Sequence, residues 1–205
     1  IIIPSIKIDK YLINCLKKLQ DQSYKKFFVT ILLDHNGSLN KYSYKINKLV
    51  TGKINMSKKR NMAAQNYKSD YIAFLDSDAY PNKKWLENAN ELYNKKKNDV
   101  LGGPNIPFPN ETKSEMLSHY CKRSFFINGH LAYRKYLSKD SYINDWLESC
   151  NFFISRDIFL KNKGMNEELY IGEDQDFFKK LKKSIRIYFT KDLFVYHKDR
   201  NIKNF

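Results

Sequence analysis

Apolar and polar stretches alternate in a regular order along the first hundred residues of the chain. Short apolar runs bounded by turn-forming residues predict buried strands, and apolar residues at helical spacing predict amphipathic helices. The runs that predict strands are 1–4, 27–33 and 71–75. The runs that predict helices are 9–20, 57–68 and 83–95, with Asp9 and Asn82 as N-caps. The strand–helix–strand order favours a right-handed βαβ unit and a parallel sheet.

The second half of the chain has a less regular pattern. Glycine and proline interrupt the apolar run 100–107, and a long stretch that we expect to be irregular follows it. Further along, the expected elements are a strand at 150–154, a helix at 156–162 that ends near Gly164, a helix from 172 through 181, and closing strands at 185–189 and 193–196.

Aromatic and basic residues are interleaved within the irregular stretch. The aromatic residues are Tyr120, Phe125, Phe126, Tyr133 and Tyr136, and the basic residues are Lys122, Arg123, Arg134 and Lys135. This mixture occurs on nucleic-acid surfaces and in acceptor-binding lobes, but more often it forms a small core with a solvated basic rim. We favour the small core for most of these residues.

The composition indicates a packed globular protein with a strong positive charge. A chain of 205 residues with 42% hydrophobic and 15% aromatic residues fits one domain with a sizeable core, or two closely joined halves. The 37 Lys and Arg exceed the 22 Asp and Glu, which gives a net charge of +15 and favours anionic partners such as nucleotide phosphates, nucleic acid or an acidic membrane. Because the lysines are scattered through polar segments, the charge is supporting evidence only.

The cysteines and the length of the apolar runs bear on location. Cys15, Cys121 and Cys150 are widely spaced and odd in number, which favours a reducing compartment and argues against a disulfide framework or a zinc site. No apolar run is long enough to span a bilayer, and no signal peptide is visible. A membrane segment outside this sequence stays an open alternative, because the chain begins at Ile1 without Met.

The segment Asp76-Ser77-Asp78 is the first candidate for chemistry. It follows directly on the apolar run 71–75, so the two carboxylates are expected where a buried strand leaves the sheet, at the edge where open α/β folds bind ligands. Carboxylates one residue apart can converge through a turn on one divalent cation, which then attracts phosphates. The alternative is that both acids only form the turn before Pro81.

The motifs together resemble the family 2 glycosyltransferases of GT-A fold. In chain order they are Ile1-Ile2-Ile3-Pro4, Asp34, Arg60-Asn61, Asp76-Ser77-Asp78, Gly102-Gly103-Pro104, Gly172-Glu173-Asp174 and Tyr196-His197. The resemblance implies an α/β fold with a Rossmann-like, mostly parallel central sheet flanked by helices, and a smaller acceptor-side lobe. It implies a single catalytic domain over 1–205, with a nucleotide-sugar donor half at 1–100 and an acceptor half at 101–205.

The resemblance also assigns donor-binding roles. Pro4 and Ser5 match positions that hold the nucleoside, and Asp34 matches a carboxylate that accepts a hydrogen bond from the base. Arg60 matches a basic residue whose guanidinium fork faces the donor phosphates. The family often has a second acid after the residue that matches Asp34, whereas this chain has His35, so the choice of base stays open.

The metal and acceptor roles follow from the same resemblance. Asp76 and Asp78 match the ligands of a Mn²⁺ or Mg²⁺ ion that supports the departing nucleoside diphosphate, and Asp76 also lies at the donor. His197 matches a histidine that completes the metal shell, with a structural role as the alternative. Ser77 replaces the middle acid of the usual motif without removing either expected ligand.

Glycosyl transfer needs a base for the acceptor hydroxyl. Glu173-Asp174 matches the acidic pair beside the acceptor, and we assign the base to Asp174 with Glu173 as the fallback. The alternative for both acids, and the better one for Asp176, is complementation of a helix dipole. Trp146 and Asn151 resemble positions that line the acceptor pocket, although Trp146 could equally belong to the core.

The resulting hypothesis is an inverting, metal-dependent glycosyltransferase in bacterial surface polysaccharide or glycolipid assembly. The expected partners are a nucleotide-diphosphate sugar, with UDP-sugars favoured over GDP- or dTDP-sugars, and a glycan or lipid-linked hydroxyl acceptor. No nucleic-acid partner is expected, and the expected location is the cytoplasm at the cytoplasmic face of an anionic membrane.

Two other functions remain as alternatives. A sugar-nucleotide nucleotidyltransferase shares an α/β nucleotide half, but it would usually carry a glycine-rich basic loop after the first strand, and Ser5-Ile6-Lys7-Ile8 is not one. A basic nucleic-acid-binding module is the non-enzymatic alternative, and carboxylates at the strand ends argue against it because they repel phosphate unless a metal is bound.

Overall fold

The computed structural model describes residues 1–96, 99–136 and 139–198. The strands are β1 Ile2–Pro4, β2 Phe28–Leu33, β3 Lys45–Val50, β4 Tyr71–Leu75, β5 Ala79–Pro81, β6 Val100–Gly102, β7 Asn105–Ile106, β8 Ser141–Ile143, β9 Asn151–Ser155, β10 Ile187–Phe189 and β11 Val195–His197. The helices are α1 Lys10–Gln20, α2 Met56–Asn66, α3 Trp85–Lys96, α4 Lys113–Arg123, α5 Phe125–Asn128, α6 Arg156–Lys161 and α7 Glu173–Lys180. Two 3₁₀ helices cover Gly129–Lys135 and Lys191–Leu193.

Eight of the strands form one central sheet in the order β3-β2-β1-β4-β9-β6-β10-β8. Strands β3, β2, β1 and β4 are parallel to one another, β9 runs antiparallel to both β4 and β6, β10 is parallel to β6, and β8 is antiparallel to β10. The sheet is therefore mixed but mostly parallel, and the carboxyl ends of the four parallel strands share one edge. A second, smaller sheet with the order β5-β11-β7 lies beyond this edge.

Helices cover both faces of the central sheet because successive strand residues point to opposite sides. Ile3 and Ile31 belong to one core cluster with residues of α1 and α3, while Ile2 and Leu32 belong to the other cluster with residues of α2, α6 and α7. Strands that are buried on both faces read as continuous apolar runs, which explains why β1, β2 and β4 were visible in the sequence.

The helix boundaries agree with the capping chemistry. Asp9 caps α1 as expected, because its carboxylate accepts hydrogen bonds from the backbone of Tyr11 and Leu12, both at 3.0 Å. Asn82 instead accepts a bond from the Lys84 backbone at 2.9 Å, and α3 begins later than expected, at Trp85.

Two expectations for the second half were wrong. The stretch expected to be irregular contains α4, whose first turn is closed by a capping box between Thr112 and Glu115. The aromatic residues of that stretch do not form a small core, because Tyr120, Phe125 and Phe126 are exposed. The pattern analysis also missed β3 and β8, which are the two edge strands of the central sheet.

Gly103 shows why the segment after β6 needs glycine. A Cβ atom at this position would lie 2.4 Å from the carbonyl oxygen of Leu193, where no side chain fits. The backbone of β6 and the following residues can therefore approach the chain before β11, and this approach positions the segment that carries His197.

Candidate active site

The carboxyl edge of the parallel strands carries most of the predicted donor residues. Ser5 follows β1, Asp34 follows β2, and Asp76 follows β4, and these three strands are neighbours in the sheet. Parallel strands end at the same edge, so the sheet order alone brings these residues near one another. Pro4 is the last residue of β1 and is buried.

A lysine that the sequence analysis did not single out connects two of these strand ends. The ammonium group of Lys59, in α2, donates to the carboxylate of Asp34 and, at 2.5 Å, to the carbonyl oxygen of Ser5. The Lys59 side chain is completely buried, so these two partners compensate for the loss of water around its ammonium group. Lys59 therefore fixes the position of the predicted base-binding carboxylate relative to the end of β1.

Arg60 joins the donor side of the site to the acidic helix α7. One terminal nitrogen donates to Asp76 at 2.8 Å, and the other donates to Glu173 at 3.0 Å. Arg60 is only 2% exposed, and both terminal nitrogens of its guanidinium bind carboxylates. Arg60 therefore positions Asp76 and Glu173, and its contact with the donor diphosphate stays a prediction.

The carboxylates of the Asp76-Ser77-Asp78 turn converge on one imidazole. The Nε2 atom of His197 lies 3.8 Å from Asp76 Oδ2 and 3.5 Å from Asp78 Oδ1. The turn is closed by a hydrogen bond from the Ala79 backbone to the Asp76 carbonyl at 3.1 Å, and strand pairing sets His197 opposite Ala79. The structure therefore brings the three predicted metal ligands together.

Asp76, Asp78 and His197 shift one another's pKa values. Burial would raise the pKa of Asp76, but hydrogen bonding to His197 and the nearby Arg60 guanidinium lower it to about 2. Burial likewise opposes charge on His197, yet the carboxylates of Asp76 and Asp78 raise the pKa of the imidazole above its usual value. Burial raises the pKa of Asp78, and the neighbouring Asp76 adds to that increase.

Cys150 and Glu148 line the same cluster from the loop before β9. The Cys150 sulfur, an Asp76 carboxylate oxygen and a His197 ring nitrogen all lie within 4.8 Å of one another. Glu148 binds Lys135 at 2.7 Å, and although burial opposes it, the Lys135 ammonium lowers the pKa of this carboxyl. These residues extend the site toward the second half of the chain.

The acidic pair at the start of α7 shows two different environments. Glu173 is tied to Arg60, whereas Asp174 accepts hydrogen bonds from the backbones of Ser149, at 3.2 Å, and Gln175, at 2.8 Å. Burial and then the charge of Glu173 raise the pKa of Asp174 to about 6. A carboxyl group with such a pKa is ionised at neutral pH and is a stronger base than an ordinary aspartate.

The two predicted acceptor residues have different positions. Asn151 is 1% exposed, and its amide donates to the carbonyls of Gly103 and Leu193 while accepting from the Trp85 indole at 3.0 Å. Asn151 is therefore a core residue that joins three segments, and the expectation that it lines the acceptor pocket was wrong. Trp146 is half-buried beneath the Arg134 guanidinium, 3.8 Å from the ring centroid, and its acceptor role stays a prediction.

Four residues of the site were not predicted from the sequence: Lys59, Glu148, Ser149 and Cys150. None of them belongs to a motif, and each is brought to the site by folding. One signal was present: α2 carries five consecutive polar residues, 57–61, ahead of Ala63 and Ala64. Polar residues on the inward side of a helix are uncommon unless partners meet them.

The residues of the cluster fit a divalent cation. Two carboxylates and an imidazole form a donor set that suits Mn²⁺ and also Mg²⁺, whereas the thiol of Cys150 is a softer donor that suits zinc-like ions. Arg60 occupies Asp76 Oδ1, so the Oδ2 atom on the His197 side is the oxygen left for a metal.

The central sheet is mixed and mostly parallel, an acidic turn lies at its carboxyl edge, and the acidic first turn of α7 lies beside that turn. This arrangement is that of a GT-A nucleotide-sugar domain, as expected. The model of the glycosyl transferase family 2 matches residues 1–162, and the chain belongs to this family. The predicted family, fold class and enzyme class are confirmed by this match.

Known proteins support the same assignment. Two curated relatives, from Staphylococcus aureus strains Mu50 and MW2, are both named poly(ribitol-phosphate) beta-N-acetylglucosaminyltransferase TarS. Each is 28% identical to this chain, and the match covers 49% of this chain and 20% of the relative. The matched region is thus about a fifth of the length of these relatives.

Solved structures show the same fold. The crystal structure of S. aureus TarS has a TM-score of 0.70 at 21% identity and covers 96% of this chain and 36% of that one. The structure of TarS 1–349 in complex with UDP-GlcNAc has a TM-score of 0.69 at 21% identity and covers 98% of this chain and 58% of that one. In the part of the chain that the structure describes, no helix is both long and apolar enough to cross a membrane.

Proposed function

We propose that the chain is the catalytic domain of an inverting glycosyltransferase that moves a sugar from a UDP-sugar to a hydroxyl group of a cell-surface polymer. In this proposal 1–100 bind the donor and 101–205 bind the acceptor; residues 97–98, 137–138 and 199–205 lie outside the described residues. The observation that carries the proposal is the Arg60 guanidinium, which donates to the donor-side Asp76 and to Glu173, the neighbour of Asp174 in the acidic pair of α7.

The base is Asp174. Its two backbone hydrogen bonds fix the carboxylate, and among the described residues it forms no ion pair, whereas Glu173 is ion-paired with Arg60. An acceptor hydroxyl that gives its proton to Asp174 attacks the anomeric carbon from the side opposite to the leaving diphosphate, so the configuration is inverted.

A bound Mn²⁺ or Mg²⁺ would be held by Asp76, Asp78 and His197. When bound, it would supply positive charge that stabilises the departing nucleoside diphosphate. The chain's own contribution is to orient these ligands, and Arg60 does so for Asp76 through the bond at 2.8 Å.

The proposed substrates rest on the relatives and on the charge. The relatives are named for transfer of N-acetylglucosamine to poly(ribitol-phosphate), and a structural neighbour contains UDP-GlcNAc. We therefore propose UDP-GlcNAc as the donor and an anionic polyol-phosphate polymer as the acceptor. The net charge of +15 suits capture of both anions.

Ligand binding tests the donor half. We expect UDP and UDP-GlcNAc to raise the melting temperature in the presence of Mn²⁺, with less effect from CDP, because ligands that bind the native state stabilise it. If UDP, GDP and dTDP all fail to shift the melting temperature with or without Mn²⁺, the donor site is refuted.

Substitution of the base tests the chemistry. We expect Asp174→Asn to lower the transfer rate about 10²- to 10⁴-fold while UDP binding is kept. In the wild-type enzyme the rate should rise with pH through about 6, where Asp174 loses its proton. Normal transfer by Asp174→Asn would assign the base elsewhere, with Glu173→Gln as the next variant.

A further inference from the structure

Helix α4 faces outward with its apolar side. Its buried residues are the polar Ser118 and His119, while Met116, Leu117 and Tyr120 are exposed. A surface helix of a globular protein normally has the opposite arrangement, with its apolar stripe on the core. The exposed side of α4 is therefore available for contact with a partner outside this domain.

Helix α5 continues the same surface. Phe125, Phe126 and Ile127 are consecutive and are 70%, 99% and 64% exposed. None of these three side chains gains the free energy of burial within the domain. The α4–α5 apolar surface comprises Met116, Leu117, Tyr120, Phe125, Phe126 and Ile127.

The surface is held in place by hydrogen bonds. Thr112 and Glu115 close the first turn of α4 with reciprocal bonds, one of them 2.9 Å from the Thr112 backbone to the Glu115 carboxylate. At the other end the Asn128 amide donates to the Lys122 carbonyl at 2.8 Å, which connects α5 to the end of α4. The exposure of the aromatic residues thus belongs to a defined structure, and clustered exposed apolar residues mark interaction sites.

Basic side chains lie at both ends of α4, beside the apolar residues. Lys113 and Arg123 are exposed at the two ends of α4, and Lys122 precedes Arg123. The Arg123 guanidinium lies over the rings of Tyr120, at 5.9 Å, and Tyr136, at 5.5 Å. Bulky apolar side chains next to Lys and Arg are the combination that binds the interface of an anionic bilayer.

We propose that the α4–α5 apolar surface docks the domain onto an anionic lipid membrane, with Phe125, Phe126 and Ile127 entering the acyl boundary and the basic side chains meeting the headgroups. This surface lies close to the candidate active site, because Glu115 in α4 is 3.7 Å from Lys198, whose backbone donates to the Asp78 carbonyl at 3.2 Å. Docking would therefore bring the donor site near the membrane. The proposal does not depend on which reaction the site performs.

Vesicle flotation with the full 205-residue chain tests the proposal. We expect binding to vesicles made of equal parts phosphatidylglycerol and phosphatidylcholine, and much weaker binding to pure phosphatidylcholine. The double variant Phe126→Ser/Ile127→Ser should lower the affinity for the anionic vesicles about tenfold or more, because about 1.4 kcal/mol corresponds to a factor of ten. Arg123→Gln should lower it about fivefold, since one basic residue near the surface is worth about 1 kcal/mol.

A matched control separates this surface from general stickiness. Tyr170→Ser/Ile171→Ser removes two apolar side chains that are also highly exposed but lie in the loop before α7. This control should bind the anionic vesicles like the wild type, and circular dichroism should show that all variants are folded. Equal loss in the control, or equal binding to both kinds of vesicle, would overturn the proposal.

Two further outcomes would also overturn the membrane proposal. If the wild-type chain binds no vesicles but light scattering shows a dimer that Phe126→Ser/Ile127→Ser dissociates, the surface joins two copies of the chain. Failure of vesicle binding together with normal UDP binding would remove the membrane proposal and leave the proposed function intact.

Discussion

Helices α2 and α4 both depart from the usual distribution of side chains, but in opposite ways. Helix α2 buries Lys59, Arg60 and Asn61, and each of them meets a partner from another element. Helix α4 exposes apolar side chains that have no place in the core. Buried polar groups with partners mark a site that the chain completes by itself, whereas exposed apolar groups mark a surface that another body completes.

Among the substitutions that test this comparison, the largest loss of stability is expected at Lys59. Lys59→Met should lower the free energy of unfolding by about 3–5 kcal/mol, because it leaves the largely buried Asp34 carboxylate without its cation. Chemical denaturation gives this value. Lys58→Met is the matched control, since Lys58 is exposed in the same helix and should change stability by no more than about 0.5 kcal/mol. Equal effects of the two substitutions would mean that the ion pair between Lys59 and Asp34 does not stabilise the buried side of α2.

A smaller loss is expected at Asn61, whose amide donates to the Met165 carbonyl at 2.8 Å and accepts from the Met165 backbone at 2.9 Å. Asn61→Ala should cost about 1–3 kcal/mol because buried backbone groups lose their partners. Asn66→Ala removes an exposed amide that bonds only within the last turn of α2, so thermal melts should show almost no change for it. A large shift for Asn66→Ala would contradict the distinction between buried and exposed positions of this helix.

The sequence predicted the parts of the molecule that local pattern determines. Strands β1, β2 and β4 read directly as apolar runs, and the acidic turn after β4 marked the site. Strand β3 was missed because Lys45–Val50 alternates polar and partly buried residues at a sheet edge, which gives a weak pattern. Helix α4 was missed because its few apolar residues are not the buried ones; the buried residues are the polar Ser118 and His119.

The rest of the site depends on contacts that no local pattern contains. Lys59 could not be distinguished from the neighbouring Lys58 in the sequence, since only the packing of α2 against β1 and β2 decides which lysine is buried. Asn151 was assigned to the acceptor pocket by resemblance to the family, whereas its position on the buried strand β9 requires that its amide be satisfied inside the core.

Protonation of Asp174 extends the comparison to α7, where a partly buried carboxyl has no ion-pair partner among the described residues. Its pKa is about 6 in the folded state, above the ordinary value of about 4, so the folded state binds the proton more tightly. Stability is therefore highest below about pH 4 for this group and falls as the pH rises through about 6. We expect Asp174→Asn to gain about 1–2 kcal/mol relative to the wild type between pH 4 and pH 7, measured by denaturation at both values. A constant difference across that range would show that the carboxyl titrates normally.

The smallest effect is expected at Phe126, and it is the most direct test of how α4 and α5 differ from α2. Phe126→Ser should change the free energy of unfolding by no more than about 0.5 kcal/mol, although it removes a large aromatic ring, because the side chain is 99% exposed and loses no core contacts. Phe159→Ala, which empties a fully buried site, should cost about 3–5 kcal/mol in the same denaturation experiment. A loss above about 2 kcal/mol for Phe126→Ser would mean that this ring packs within the domain. In that case the α4–α5 apolar surface would belong to the core, and α4 would not differ from α2 in the way described above.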